Sequence, residues 1–310
     1  MPSFAMIFPG QGSHKINILH KLYKNSTIIQ NTFLEASNYL NYNLWKLINT
    51  SHYLNKNQYI QPLILVYSVA IYRLWKKLGG SNPNISSGHS LGEYAALVCA
   101  KIITFSEAVK LVAYRGKIME KYSAKQEVQM QAIIGLNKKI ILKICKKYSY
   151  KKIVNIASIN SKKQIIISGH KQAVQNVSIT CKKNGAHKIL NIPVNIAAHC
   201  YIMRKLTRKL SKKIKKIHFQ HSTYPVISSI SVKKQASKHT IRKSLIKQLY
   251  KPVQWYKTIN LIKSQSNIIL ELGMNNILIN LIKKRKNIKL IPMNNLENIY
   301  SALNLTTNIK

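Results

Sequence analysis

The chain of 310 residues contains no aspartate, and its seven acidic residues are all glutamate: Glu35, Glu93, Glu107, Glu120, Glu127, Glu271 and Glu297. A Ser-His-Asp triad is therefore excluded. Any histidine base must be oriented by a glutamate or by a backbone carbonyl. The shortage of carboxylates also argues against a caged Mg²⁺ or Ca²⁺, since hard cations take several acidic oxygens. Cysteine is scarce too. Cys99, Cys145, Cys181 and Cys200 form no CxxC pair and no His/Cys spacing of a closed zinc site. They read as reduced, buried thiols, and no metal is expected. No uninterrupted apolar run is long enough to span a bilayer. Met1-Pro2-Ser3-Phe4 lacks the charged start and apolar run of a secretion signal. A cytoplasmic protein with no membrane partner is expected.

Against these few acids stand 50 lysines and arginines, for a formal net charge of +43. Two readings compete. One is a polyanionic partner. The other is compositional drift: the basic residues are nearly all lysine, they run along the whole chain, and isoleucine and asparagine, also encoded by A/T-rich codons, are abundant. No stretch interleaves aromatic residues with a localised basic patch, so no functional nucleic-acid partner is expected. Hydrophobic content of 46% suffices for a sizeable core, in one large domain or one domain with a smaller insertion.

Hydrophobic patterning gives the order of elements. Residues 4–8 predict a short buried strand running into the tight turn Pro9-Gly10-Gln11-Gly12. Residues 63–78 have helical periodicity and stop at Gly79-Gly80. A strand is predicted near Asn84–Ser87 and a helix over Leu91–Ile102. Ser106 is placed to cap the next helix, with Glu107 in its first turn. From Met130 a new unit begins: strand 130–136, helix 138–148, strands 152–159 and 164–168, helix 171–183, strand 187–194. That βαββαβ order is a ferredoxin-like arrangement, read as a small subdomain inserted into a larger α/β domain. A basic helix follows near 203–216.

Three places carry possible chemistry. Gly88-His89-Ser90-Leu91-Gly92 matches a nucleophile elbow, in which a serine on a sharp strand-to-helix turn faces an oxyanion beside a helix N-terminus. A serine nucleophile needs a base. Among ten histidines, His199 is one candidate, just after the βαββαβ unit, and Cys200 beside it is a rival nucleophile or a buried structural thiol. Arg115 lies on the apolar stripe of its helix with Ala108, Leu111, Val112, Ile118 and Met119. It could snorkel, pair with a glutamate, or clamp a ligand carboxylate in a two-toothed grip.

Phe8-Pro-Gly-Gln-Gly-Ser13, Gly88-His-Ser-Leu-Gly-Glu-Tyr94, Arg115-Gly-Lys, Gly169-His170-Lys171, His199-Cys200 and Gln248-Leu-Tyr-Lys-Pro-Val-Gln-Trp255 together resemble the bacterial malonyl-CoA:acyl-carrier-protein transacylases. The resemblance runs in the family's order over nearly the whole chain. It implies Ser90 as the acyl-carrying nucleophile and His199 as its base. Arg115 would hold the malonyl carboxylate, and the backbone amides of Gln11 and Leu91 would form the oxyanion hole. The main-chain carbonyl of Gln248 would orient the histidine, which answers the missing aspartate. The implied fold is an α/β-hydrolase-like core (1–125 and 197–310) with an inserted ferredoxin-like subdomain (126–196). The implied partners are malonyl-CoA and acyl carrier protein, with the CoA thioester as substrate, no cofactor, and a monomeric enzyme. Arg204–Lys216 is either a docking face for an acidic carrier protein or a solvated basic helix. The main rival is a serine hydrolase or thioesterase. Several positions depart from the family: Met274-Asn275 replaces Pro-Gly, Val128-Gln129-Met130-Gln131 replaces smaller residues, Ser228 and Ser231 replace Asn and Asp, and His14 replaces Gln.

Overall fold

Phe4, Ala5, Met6, Ile7 and Phe8 are all buried, as expected of a parallel strand covered on both faces. The computed structural model describes residues 3–12, 16–48, 53, 56–150, 152–283 and 287–307. Ser13 and His14 lie outside them. Among the described residues, nine strands form two sheets: β1 (Phe4–Phe8), β2 (Ile85–Gly88), β3 (Val128–Ile134), β4 (Val154–Ile159), β5 (Gln164–His170), β6 (Lys188–Asn191), β7 (Val226–Ile227), β8 (Ile268–Glu271) and β9 (Lys289–Pro292). The first sheet has the order β7-β2-β1-β8-β9 and every pair in it is parallel. β1 is its middle strand, so the turn that follows Phe8 emerges at the carboxyl end of the sheet, where open α/β sheets place their ligands.

The buried helix Asn57–Lys77 belongs to the same unit. It starts six residues before the predicted position. Pro62 marks a helix start by propensity, but burial of Ile60, Gln61, Leu63 and Ile64 carries the helix through it. Its end is as predicted: the Gly79 and Gly80 amides donate to Lys76 and Trp75 carbonyls at 3.2 and 2.9 Å, a paired closure that satisfies the last turn. The helix Phe105–Ser123 starts one residue before Ser106, the expected cap. Thr104 takes that part. The Thr104 hydroxyl accepts from the Glu107 amide at 3.2 Å, and the Glu107 carboxylate accepts from the Thr104 amide and hydroxyl at 3.2 and 2.7 Å. This is a reciprocal capping box, which the spacing Thr-x-x-Glu encodes.

The second sheet is antiparallel, in the order β4-β5-β3-β6. The helices Lys138–Tyr148 and Lys171–Lys183 bury Ile141, Ile144, Val174 and Val177 in one cluster with Ile133, Val154, Ile165 and Ile167 of the sheet. The predicted βαββαβ order is present, with strand ends shifted by a few residues. The expected basic helix over 203–216 is a 3₁₀ segment, Tyr201–Leu206, followed by an α-helix, Thr207–Ile214.

The chain divides into two units: Met1–Gly116, Ile217–Lys238 and Thr258–Lys310 around the parallel sheet, and Lys117–Lys216 with His239–Lys257 around the antiparallel one. The second unit takes in more chain than residues 126–196. Backbone bonds explain part of this: the Val253 amide donates to Ala157 O and the Ile159 amide to Val253 O, both at 2.9 Å, so a single parallel bridge at Val253 ties residues 239–257 to β4. The Asn155 side chain also accepts from the Tyr201 amide and the Cys200 thiol.

Removal of the Thr104 hydroxyl in Thr104→Ala is expected to lower stability by about 0.5–2 kcal/mol, read from urea denaturation. An unchanged midpoint would show that the capping box is not contributing.

Candidate active site

Ser90 sits at φ +54°, in the left-handed region that L side chains rarely adopt. The turn is forced by close packing around it. A Cβ on Gly88 would collide with the backbone of Gly92 and Glu93, and one on Gly92 would collide with the carbonyl of Phe8 and lie 2.7 Å from that of Pro9. The spacing Gly-x-Ser-x-Gly is thus a steric requirement of β2 turning directly into the helix Gly92–Cys99. The His89 amide donates to Phe8 O at 2.8 Å, the Gly92 amide to His89 O at 3.0 Å and the Glu93 amide to Ser90 O at 3.1 Å. Ser90 remains half-exposed at the helix N-terminus, where the helix dipole favours negative charge. Leu91 is the cap residue of that helix, and Gln11 is in the turn that leaves β1. Among the described residues neither of these two amides donates a hydrogen bond.

Arg115 is 2% exposed, which removes snorkelling from its possible readings. Its Nη1 donates to Gln61 Oε1 at 2.8 Å, and its guanidinium carbon lies 5.7 Å from the centre of the Tyr94 ring. Tyr94 is in the first turn of the helix that Ser90 precedes, so the guanidinium lies against the ring of a residue four positions after the nucleophile. Burial pulls the pKa of Arg115 down, and the neighbouring Tyr94 and Glu93 oppose this. Burial pushes the Tyr94 hydroxyl up to about 12, so it stays neutral. The Glu93 carboxylate accepts from the Ser229 amide at 3.2 Å, the Ser229 hydroxyl at 2.6 Å and Gln235 Nε2 at 2.7 Å.

His199 and Gln248 belong to the unit of the antiparallel sheet. His199 is 4% exposed and adopts φ +57°. Cys200, beside it, is fully buried, and burial pushes its thiol up to about 12. It is a protonated structural thiol at neutral pH, not a nucleophile. Gln248 is buried at the end of the helix Lys238–Lys247, its amide donating to Ser244 O at 2.8 Å. The structure thus gathers Gln11, Ser90, Leu91 and Arg115 in one unit, and His199 and Gln248 in the other.

A family model described as an acyl transferase domain matches residues 5–286. The chain belongs to the acyl transferase family. It is 45% identical over 306 residues to the malonyl CoA-acyl carrier protein transacylase of Buchnera aphidicola subsp. Schizaphis graminum, covering 97% of this chain and 98% of that protein. The enzyme of the same name from Escherichia coli K12 is 40% identical over 287 residues, covering 92% and 93%. Among solved structures, the malonyl CoA-acyl carrier protein transacylase of Coxiella burnetii superposes with a TM-score of 0.96 at 40% identity, over 99% of this chain and 98% of that one. A malonyl-transacylase in complex with its type II PKS acyl-carrier protein superposes with a TM-score of 0.95 at 37% identity, over 98% and 99%. This acyl transferase is a mixed α/β protein with a parallel and a separate antiparallel sheet, as these relatives lead one to expect. No helix among its described residues is long and apolar enough to cross a membrane.

Three buried polar residues of this acyl transferase escaped the sequence patterns. Gln61, which holds Arg115, sits inside an apolar helical run, and that misfit was its only signal. Glu93 is within the elbow motif, but its partners lie more than 130 residues away. Glu271, at the end of β8, accepts from the Leu278 and Ile279 amides at 3.0 and 2.8 Å. Among the departures, Met274 is buried and Asn275 half-buried in the segment after Glu271. The Gln129 and Gln131 side-chain amides both donate to Asn191 Oδ1, at 3.1 and 2.6 Å, which ties β3 to β6.

Burial raises the Glu271 pKa from 4.5 to about 7, against the two amide bonds that lower it. A carboxyl raised in the folded state contributes stability that is fully present below the unfolded value and is lost as pH rises through the folded value. Relative to Glu271→Gln, the wild type is therefore expected to lose about 2–3 kcal/mol of stability between pH 5 and 7.5, at 1.36 kcal/mol per pKa unit. Paired urea denaturations at the two pH values test this, and a difference that does not change with pH would contradict it.

Proposed function

We propose that this chain moves the malonyl group of malonyl-CoA to the phosphopantetheine thiol of acyl carrier protein through an ester on Ser90, supplying fatty acid synthesis. The observation that carries the reading is the buried Arg115, held by Gln61 against Tyr94 at the first turn of the elbow helix. Malonyl differs from acetyl by one carboxylate, and a planar guanidinium is the side chain that matches it with two parallel bonds. The relatives' names, and the neighbour captured with an acyl-carrier protein, support the same donor and acceptor.

In this reading Ser90 Oγ gives its proton to His199 and attacks the thioester carbonyl. The amides of Gln11 and Leu91 receive the oxyanion, and the N-terminus of Gly92–Cys99 adds its positive end. Each oxyanion donor is worth about 2.7–4 kcal/mol. The carbonyl re-forms, the C–S bond breaks, and the CoA sulfur takes the proton from His199. The carrier thiol then passes its proton to His199 and attacks the Ser90 ester; the acyl C–Oγ bond breaks, Ser90 Oγ takes the proton back from His199, and the new thioester leaves. The cycle is ping-pong. The main-chain carbonyl of Gln248 orients the histidine, which suits a chain without aspartate. Thioester, ester and thioester exchange with no change of oxidation state, so the CoA thioester serves as substrate and no step calls on a cofactor.

The finer fold follows the same reading. The parallel sheet with a nucleophile elbow after its second strand is α/β-hydrolase-like, and the antiparallel order β4-β5-β3-β6 with two helices on one face is ferredoxin-like, inserted at 126–196.

Arg115→Ala is expected to lower kcat/KM for malonyl-CoA by roughly 30-fold to several thousand-fold, the equivalent of about 2–5 kcal/mol for truncating one partner of a buried charge pair. Activity with acetyl-CoA is expected to fall far less. Arg115→Lys should recover only part of the malonyl activity, because it keeps the charge without the fork. Equal losses with both thioesters would make Arg115 structural and remove the main support for malonyl selectivity.

A further inference from the structure

The segment after β8 reaches the turn that follows β1. The Leu272 amide donates to Ile7 O at 3.0 Å, and the Ser68 hydroxyl holds Leu272 O at 2.8 Å. Gly273 then lies so close to Pro9 that a Cβ on it would collide with the proline ring. On its other side Pro9 meets the elbow, since its carbonyl is among the atoms that a side chain on Gly92 would strike. Pro9 is therefore gripped between Gly92 and Gly273, two residues before Gln11. The bend that carries Gly273 is closed by Glu271, whose carboxylate reaches across it to the Leu278 and Ile279 amides, while its carbonyl accepts from Met293 at 2.8 Å.

We infer that Glu271 is a positioning residue for the acyl-transfer reaction: its carboxylate closes the 272–277 bend, the bend presses Gly273 onto Pro9, and this grip aims the Gln11 amide at the oxyanion. The inference rests on the proposed role of Gln11. An ionisable group kept fully buried against its desolvation cost is a poor choice for stability alone. Two bonds to neighbouring amides are what a carboxylate supplies and a neutral side chain of the same shape does not. In this chain Met274-Asn275 occupies the bend, so the bend has no proline of its own to stiffen it, and the Glu271 carboxylate ties its far end while the Leu272 bonds hold its start.

The test is made at pH 8, where the Glu271 carboxylate is ionised, on the full chain with malonyl-CoA as donor. Glu271→Gln is expected to lower kcat for Ser90 acylation about tenfold, a fraction of the 10²–10³-fold that loss of a whole oxyanion donor costs, with KM for malonyl-CoA within about twofold. Pro9→Ala is expected to give a similar loss in kcat. Because both act on one contact, the double variant should lose no more than the worse single variant. Hydrogen exchange of the peptide spanning residues 9–12 should quicken in Glu271→Gln, a readout that does not depend on activity. Unchanged kcat in the folded variant, losses that multiply, or unchanged exchange over 9–12 would each overturn the inference. If Glu271→Gln does not fold, Gly273→Ala bears on the same contact from the other side, with Glu271 left in place: a kcat loss with KM retained supports the grip, and unchanged kcat overturns it. A wild type that forms no malonyl adduct would count against the functional reading, while the exchange result would still decide the role of Glu271.

Discussion

Gly92 has no room for a side chain because the carbonyls of Phe8 and Pro9 occupy the space where a Cβ would go. The rest of the nucleophile turn depends on that approach. It brings the helix Gly92–Cys99 against the end of β1, so β2 must turn within two residues, and Ser90 is left in a left-handed conformation. The strain, of order 1–3 kcal/mol, is held by the surrounding amide bonds and by the fully buried β1. Because β1 is the middle strand of a parallel sheet, the Gln11 turn and the elbow emerge side by side at its carboxyl end. In the proposed mechanism the Gln11 and Leu91 amides, from these two neighbouring turns, receive the oxyanion.

Electrostatics in the parallel-sheet unit follow from scarcity. With seven carboxylates against fifty basic residues, a buried guanidinium cannot count on a salt bridge for its balance. Arg115 is instead fixed by neutral groups, the Gln61 amide oxygen and the face of Tyr94, with Glu93 acting from farther off and itself bound by Ser229 and Gln235. In the proposed mechanism this cation is the group that meets the malonyl carboxylate. The same scarcity bears on the histidine, whose orientation in this chain falls to a backbone carbonyl in the proposed mechanism.

Much of this was legible in the sequence where local rules decide. The buried strand 4–8, the glycine spacing around Ser90 and the βαββαβ alternation are short-range patterns, and the structure bears them out. Arg115 was readable as an inward-facing cation because it breaks an apolar stripe. What was not legible depends on distant contacts or on competition between local rules. Pro62 hid the first turns of Asn57–Lys77, because burial outweighed propensity there. Ser106 reads as the cap, whereas the Thr-x-x-Glu spacing puts the cap at Thr104. Glu271 gave no signal at all, since its role depends on amides seven and eight residues ahead and on a glycine meeting a proline from another strand. By pattern His199 is one of several candidate histidines and Gln248 carries no signal; the roles proposed for them rest on the family resemblance, because no local rule marks a histidine oriented by a main-chain carbonyl.

The central claim is a malonyl ester on Ser90, and the most direct measurement is the intact mass of the protein after brief mixing with malonyl-CoA, followed by peptide mapping. The account predicts a single malonyl adduct on the peptide that contains Ser90, lost on addition of acyl carrier protein bearing a free phosphopantetheine thiol and absent from a Ser90→Ala variant of unchanged fold. An adduct that persists in that variant, on Cys200 or elsewhere, or none in the wild type, would contradict it.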